Sequence, residues 1–157
     1  MKKLIFFIAI GLLMISCNQN SDKTSTDKTT DKTAPDSSSI KNGVLVHITE
    51  GYNDPHRVLM ALQMAKKMAE DYDVIIYADI HAVEFLVKDA KDIAFKDFEP
   101  AQSSIKTLLE KKTGIYVCPT CLEVAGFKPE DLMEGIKTAD KDIFFSFTKG
   151  KIVTLDY

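Results

Sequence analysis

Residues 43–78 read GVLVHITEGYNDPHRVLMALQMAKKMAEDYDVIIYA, and the spacing of their apolar residues decides the fold. The run Gly43-Val44-Leu45-Val46-His47-Ile48-Thr49 is β-branched and almost continuously apolar, as a strand covered on both faces of a parallel sheet requires. Asp54-Pro55 follows, a capping residue and then proline at the first helical position, where no N–H is needed. Val58, Leu59, Leu62, Ala65 and Met68 then recur at helical spacing, which predicts a helix over 55–71. Val74-Ile75-Ile76-Tyr77-Ala78 is a second buried strand. Strand, helix, strand at this length is a βαβ unit, so the sheet starts parallel.

Toward the C-terminus the alternation continues. AVEFLV (82–87) predicts a short helix and Ile93-Ala94-Phe95 a minor strand. Pro100 opens a helix with Ile105, Leu108 and Leu109 on one face and Lys111 and Lys112 near its end, where cations complement the dipole. Gly114 stops it, and Ile115-Tyr116-Val117 is a strand running into Cys118. Pro119 starts a helix that Gly126 ends, and Pro129 starts another through about Thr138. The segment DIFFSFTKGKIVTLDY (142–157) holds two strand-like runs around Lys149-Gly150, predicting a terminal strand with a hairpin partner. The fold class expected is α/β, a three-layer α/β/α sandwich on a mostly parallel sheet of about five strands.

Toward the N-terminus the composition changes twice. Positions 1–16 hold 12 apolar residues behind Lys2-Lys3, and positions 17–42 hold only Cys17, Ala34 and Ile40. The first is a charged n-region, an apolar h-region and a small residue before a cysteine, the pattern of an export signal; the apolar run is shorter than the ~20 residues of a spanning helix. Leu13-Met14-Ile15-Ser16-Cys17 resembles the lipobox of bacterial lipoproteins, which implies cleavage before Cys17, acylation of that residue and attachment to a membrane of the cell envelope. The polar tract 18–42, with Asp-Lys-Thr at 22, 27 and 31, lacks the apolar residues needed to offset ordering and is expected to be a tether. The organisation expected is a signal peptide over 1–16, a lipidated cysteine and tether over 17–42, and one domain over 43–157 facing the periplasm or the exterior. That domain carries 14 Lys and Arg against 19 Asp and Glu, a net of −5, so it lacks the basic surplus that nucleic-acid binding needs.

In an open parallel sheet the strand-to-helix loops share one edge, and sites form there. His47, Glu50, Asp54 and His56 lie at or after the first strand, His81 after the second, and Cys118 and Cys121 after Ile115–Val117. Cys118-Pro119-Thr120-Cys121 is a C-x-x-C whose first cysteine sits at the N-cap of a helix, where unpaired N–H groups and the helix dipole favour a thiolate. Three readings are open: a sulfur-handling or redox pair, half of a zinc site completed by His47, His56 or His81, or a structural disulfide. His56 is a candidate base for a thiol, against a plain surface role. Glu50 and Asp54 fit a loop carboxylate and a helix cap better than an acid/base pair. The single glycine in Thr49–Asp54 gives no dinucleotide site, and no cofactor is expected.

GIYVCPTCLEVAGFKPEDLMEGI (114–136), with GVLVHITEGYNDPHRVLMALQMAKKMAEDYDVIIYADIHAVEFL (43–86) before it, resembles the DsrE/DsrF family of small α/β proteins across 43–157. The resemblance rests on Asp54-Pro55 and Arg57 opening the first helix, and on a strand ending in Cys118 with Gly126 eight residues on. It implies that Cys118 carries sulfur as a persulfide, that a sulfur donor or acceptor or a thiol-reductant protein is the partner, and that subunits assemble as trimers or hexamers. Two departures stand out: relay members of the family work in the cytoplasm, and Cys121 adds a second thiol able to attack a persulfide on Cys118. The function expected is sulfur or thiol redox chemistry by Cys118 with Cys121 as resolving thiol. The alternative is a non-catalytic binding module with a disulfide, or a metal held by Cys118, Cys121 and His47, at the same rim.

Overall fold

The computed structural model describes residues 40–157. The segment expected to be a signal peptide, Cys17 and nearly all of the expected tether lie outside the described residues. Strand β1 (Gly43–Ile48), helix α1 (Pro55–Met68) and strand β2 (Asp73–Ala78) form the expected βαβ unit. Asp54 caps α1 by accepting the Arg57 backbone N–H at 3.1 Å, and Pro55 occupies the first turn. Helix α2 (Ala101–Glu110), strand β3 (Gly114–Val117), helix α3 (Pro119–Val124), strand β4 (Lys137–Thr138), helix α4 (Ile143–Ser146) and strand β5 (Ile152–Asp156) complete the order. The sheet is entirely parallel, with strand order β4-β3-β2-β1-β5.

The pleat sorts side chains between two unlike faces. Val44, Val46 and Ile48, Val74, Ile76 and Ala78, and Ile115 and Val117 join one buried cluster with the apolar sides of α1 (Val58, Leu59, Leu62, Ala65) and α2 (Ile105, Leu108). On the opposite face His47, Tyr77 and Tyr116 stand in register across β1, β2 and β3. On that face Phe144 of α4 meets the Tyr77 ring edge-on at 5.2 Å.

Four segments differ from expectation. The helix expected over 82–87 is a 3-10 turn, Ile80–Phe85, which buries Ala82, Val83 and Phe85 but has no side-chain cap. Ile93–Phe95 forms no strand: Ile93 is buried and its carbonyl accepts the Ala101 N–H at 2.9 Å, so this backbone caps α2. The helix expected from Pro129 to about Thr138 is one 3-10 turn, Pro129–Asp131, followed by β4. Its backbone groups are taken elsewhere, Asp131 O by Lys88 N–H at 2.9 Å and Met133 N–H by Leu86 O at 3.0 Å, and Gly135 at φ +90° turns the chain away from a helix. The terminal hairpin does not form. Its first run is α4, and the second is β5, which adds parallel to β1 with Val153 opposite Val44. Gly150 lets the chain enter that edge, because a Cβ there would collide with the Lys41 carbonyl.

Candidate functional site

Parallel pairing of β2 and β3 brings the ends of both strands to one corner of the sheet's carboxyl edge. Cys118 directly follows β3, is the N-cap residue of α3 with Pro119 behind it, and donates its N–H to Ala78 O at 2.9 Å. Cys121 lies one turn into the helix, and both residues are half-buried free thiols.

Residues 77–80 wrap this pair. The Tyr77 hydroxyl faces the Cys118 sulfur, the Ala78 carbonyl holds the Cys118 amide, Asp79 places its charge near Cys121, and the Ile80 N–H faces the Cys121 sulfur. Ile80 holds φ +49°, a region that β-branched residues rarely enter and that carries strain.

The two thiols are driven apart. Burial pushes the Cys118 thiol up, but the N–H of Cys121, the Tyr77 hydroxyl, the Cys121 thiol and the N–H of Thr120 outweigh it, so Cys118 ionises below the ordinary thiol range. The Cys118 sulfur makes no capping hydrogen bond to the first turn of α3. For Cys121 the Ile80 N–H favours the thiolate, yet burial, the Cys118 thiol and the Cys118 and Asp79 charges prevail and raise it. Burial, the neighbouring Cys118 thiol and the charges of Cys118 and Asp79 push the Tyr77 hydroxyl well above the ordinary phenol range, so it keeps its proton. One activated thiolate beside one thiol that keeps its proton is the arrangement expected of a nucleophile and a resolving partner.

The histidines separate. His47 is clamped between two carboxylates, Nδ1 at 3.0 Å from Asp156 and Nε2 at 3.0 Å from Asp79, and its ring lies 5.4 Å from that of Tyr77. His56 stacks on Phe95 at 5.1 Å and meets Phe98 edge-on at 5.2 Å, so its ring is engaged with the loop before α2. His81 lines a cleft of about 370 Å³ with Ile80, Glu84, Thr120, Cys121 and Val124. Glu50 and Asp54 both approach Arg57, at 3.8 and 3.5 Å. Among the described residues no group of three or more His, Cys, Asp or Glu side chains is placed to hold a metal ion.

Nothing in the sequence alone singles out Tyr77 and Asp79. Tyr77 passes for an ordinary apolar strand residue, and Asp79 for the first residue of a loop. Only the β2–β3 pairing, Tyr77 opposite Tyr116 and Ala78 opposite Val117, puts them beside the cysteines.

A five-stranded parallel α/β domain with an asymmetric thiol pair at a strand-to-helix junction defines the class. The DsrE/DsrF-like family model matches residues 43–147, and the chain belongs to that family. Two solved structures share the fold. The YchN protein from E. coli is 17% identical with a TM-score of 0.59, over 74% of this chain and 100% of that one. MTH1491 from Methanobacterium thermoautotrophicum, described as a protein of unknown function, is 18% identical with a TM-score of 0.56, over 73% and 99%. No curated protein matches in sequence.

Proposed function

We propose that the protein handles sulfur or thiol redox equivalents through Cys118, with Cys121 as the resolving thiol. The observation that carries this reading is the placement of two free, half-buried thiols one turn apart at the β3–α3 junction, with Cys118 at the N-cap, and membership of the DsrE/DsrF-like family points to a sulfur-relay type of role. The Cys118 thiolate attacks the terminal sulfur of a donor persulfide, the donor's S–S bond breaks, and the donor leaves as its thiolate. Cys121 then attacks the Cys118 sulfur, forming the Cys118–Cys121 disulfide and releasing the carried sulfur as sulfide. An external dithiol reductant supplies the two electrons that restore the pair. Its partners are thus a sulfur donor and a thiol-reductant protein.

Two further parts of the proposal concern placement. Export and lipidation at Cys17 would put the domain at a membrane of the cell envelope, supported by the lipobox-like sequence at 13–17. Assembly as a homo-oligomer is supported by the exposed Val124, Phe145 and Val153, 84%, 81% and 57% accessible in the single chain.

Intact-protein mass spectrometry after polysulfide treatment tests the chemistry. The expected result is a gain of one sulfur atom's mass, mapped to Cys118 and lost in Cys118→Ser. Unreactive thiols in the reduced, metal-free protein would overturn it, and stoichiometric zinc in the purified chain would favour the binding-module alternative.

A further inference from the structure

Resolution demands that Cys121, the thiol that keeps its proton, lose it before attack. Asp156, His47 and Asp79 form a line that ends beside the thiol pair. Asp156 Oδ1 lies 3.0 Å from His47 Nδ1 and His47 Nε2 lies 3.0 Å from Asp79 Oδ2. If Nδ1 donates to Asp156, the approach of Nε2 to Oδ2 is attractive only with a proton on one of the two atoms. The two atoms are in close approach, but no hydrogen bond is formed at Nε2. Asp79 Oδ1 is also buried and has no partner among the described residues. An unpaired buried carboxylate oxygen carries a desolvation cost, and it sits between Ala78, whose carbonyl accepts the Cys118 N–H, and Ile80, which lines one cleft with Cys121.

We infer that Asp79 is the proton acceptor for Cys121 in the resolving step, directly or through one water, with His47 and Asp156 as residues that position it. The inference rests on the reading of Cys121 as the resolving thiol. In the step, Cys121 gives its proton to Asp79 and its sulfur lone pair forms a bond to the Cys118 sulfur. The bond from Cys118 to its adduct breaks, and the adduct leaves with that electron pair. Over the two steps together the cysteine pair is oxidised by two electrons, and the donor, split into its first leaving group and the adduct, is reduced by two. The titratable groups around this transfer are His47 from β1, Asp156 from β5, Tyr77 from β2, and Cys118, with His81 and Glu84 in the cleft beside Cys121.

The two possible roles of Asp79 predict opposite results. A charge that merely raises the Cys121 pKa slows resolution, so removing it would speed the step. A proton acceptor speeds resolution, so removing it slows the step.

The full chain carrying Cys17→Ala, in detergent, is mixed with Ellman's reagent at neutral pH. A first thionitrobenzoate is released as Cys118 forms the mixed disulfide, and a second as Cys121 displaces the aryl thiolate. In Asp79→Asn the ratio of second-phase to first-phase rate is expected to fall on the order of a hundredfold, and the second phase to rise with pH as free thiol ionisation does. His47→Gln should slow the second phase and change its pH profile in the same sense. Formate added to Asp79→Ala should restore the second phase, which a purely structural role would not allow. A second phase in Asp79→Asn within about threefold of wild type, or faster, overturns the role of Asp79, as does failure of formate to rescue. A wild-type chain with no second phase overturns the resolving-thiol reading itself, and this inference with it.

Discussion

At the residue scale the Tyr77 hydroxyl is the side-chain group beside Cys118 that, after the N–H of Cys121, most favours its thiolate. Its proton is held firmly, so it stabilises a thiolate without competing for the proton, and a bond to a charged acceptor is stronger than one between neutral groups. In Tyr77→Phe the pH midpoint for alkylation of Cys118 moves up, and modification at neutral pH slows roughly three- to tenfold; site-resolved iodoacetamide labelling measures both. The sign follows from the cause: removing a donor that favours the thiolate means fewer thiolates at a given pH. Because burial opposes the shift at Cys118, an unchanged midpoint in this variant would assign the effect to the N–H groups of Thr120 and Cys121 instead. Cys118 and Cys121 are visible in the sequence because C-x-x-C is a local pattern. Tyr77 and Asp79 are not, because their relation to Cys118 spans about forty positions and exists only once β2 and β3 pair in one register. His56, a candidate base in the sequence, packs its ring against Phe95 and Phe98.

At the element scale the parts legible in sequence are those whose hydrogen bonds are internal or between adjacent strands. β1, α1, β2, α2, β3 and α3 fall within a few residues of expectation, each with its own cap or apolar period. The segments that differ are those whose backbone is satisfied from a distance. Residues 131–133 look helical by proline and apolar spacing, yet they bond to Leu86 and Lys88. Ile152–Asp156 looks like half of a hairpin, yet the open edge of β1 recruits it in parallel. Gly135 is the pivot of the first case, at φ +90° with a substituent there meeting Leu109 Cδ2 at 3.1 Å. Gly135→Ala is expected to destabilise the domain by about 1–3 kcal/mol, read from urea unfolding. Stability unchanged within a few tenths would show that 131–136 reach their path without a left-handed residue.

At the scale of the whole molecule the parallel sheet separates entry from chemistry. The chain enters β1 at Gly43 on the amino edge, whereas Cys118 follows β3 on the carboxyl edge. Cys17→Ala is expected to move the processed protein from the membrane fraction to the soluble envelope fraction while leaving polysulfide reactivity at Cys118 intact. A variant that stays with the membrane after signal cleavage would contradict lipidation at this residue.

The division of labour between the two cysteines is tested most directly by following sulfur on Cys121→Ser and wild type after a pulse of polysulfide, with excess donor removed. If Cys118 carries and Cys121 resolves, the variant keeps a persulfide on Cys118, and the wild type loses it while releasing sulfide and converting both thiols to a disulfide. A persulfide found on Cys121, or one equally long-lived on Cys118 in both proteins, would contradict the account.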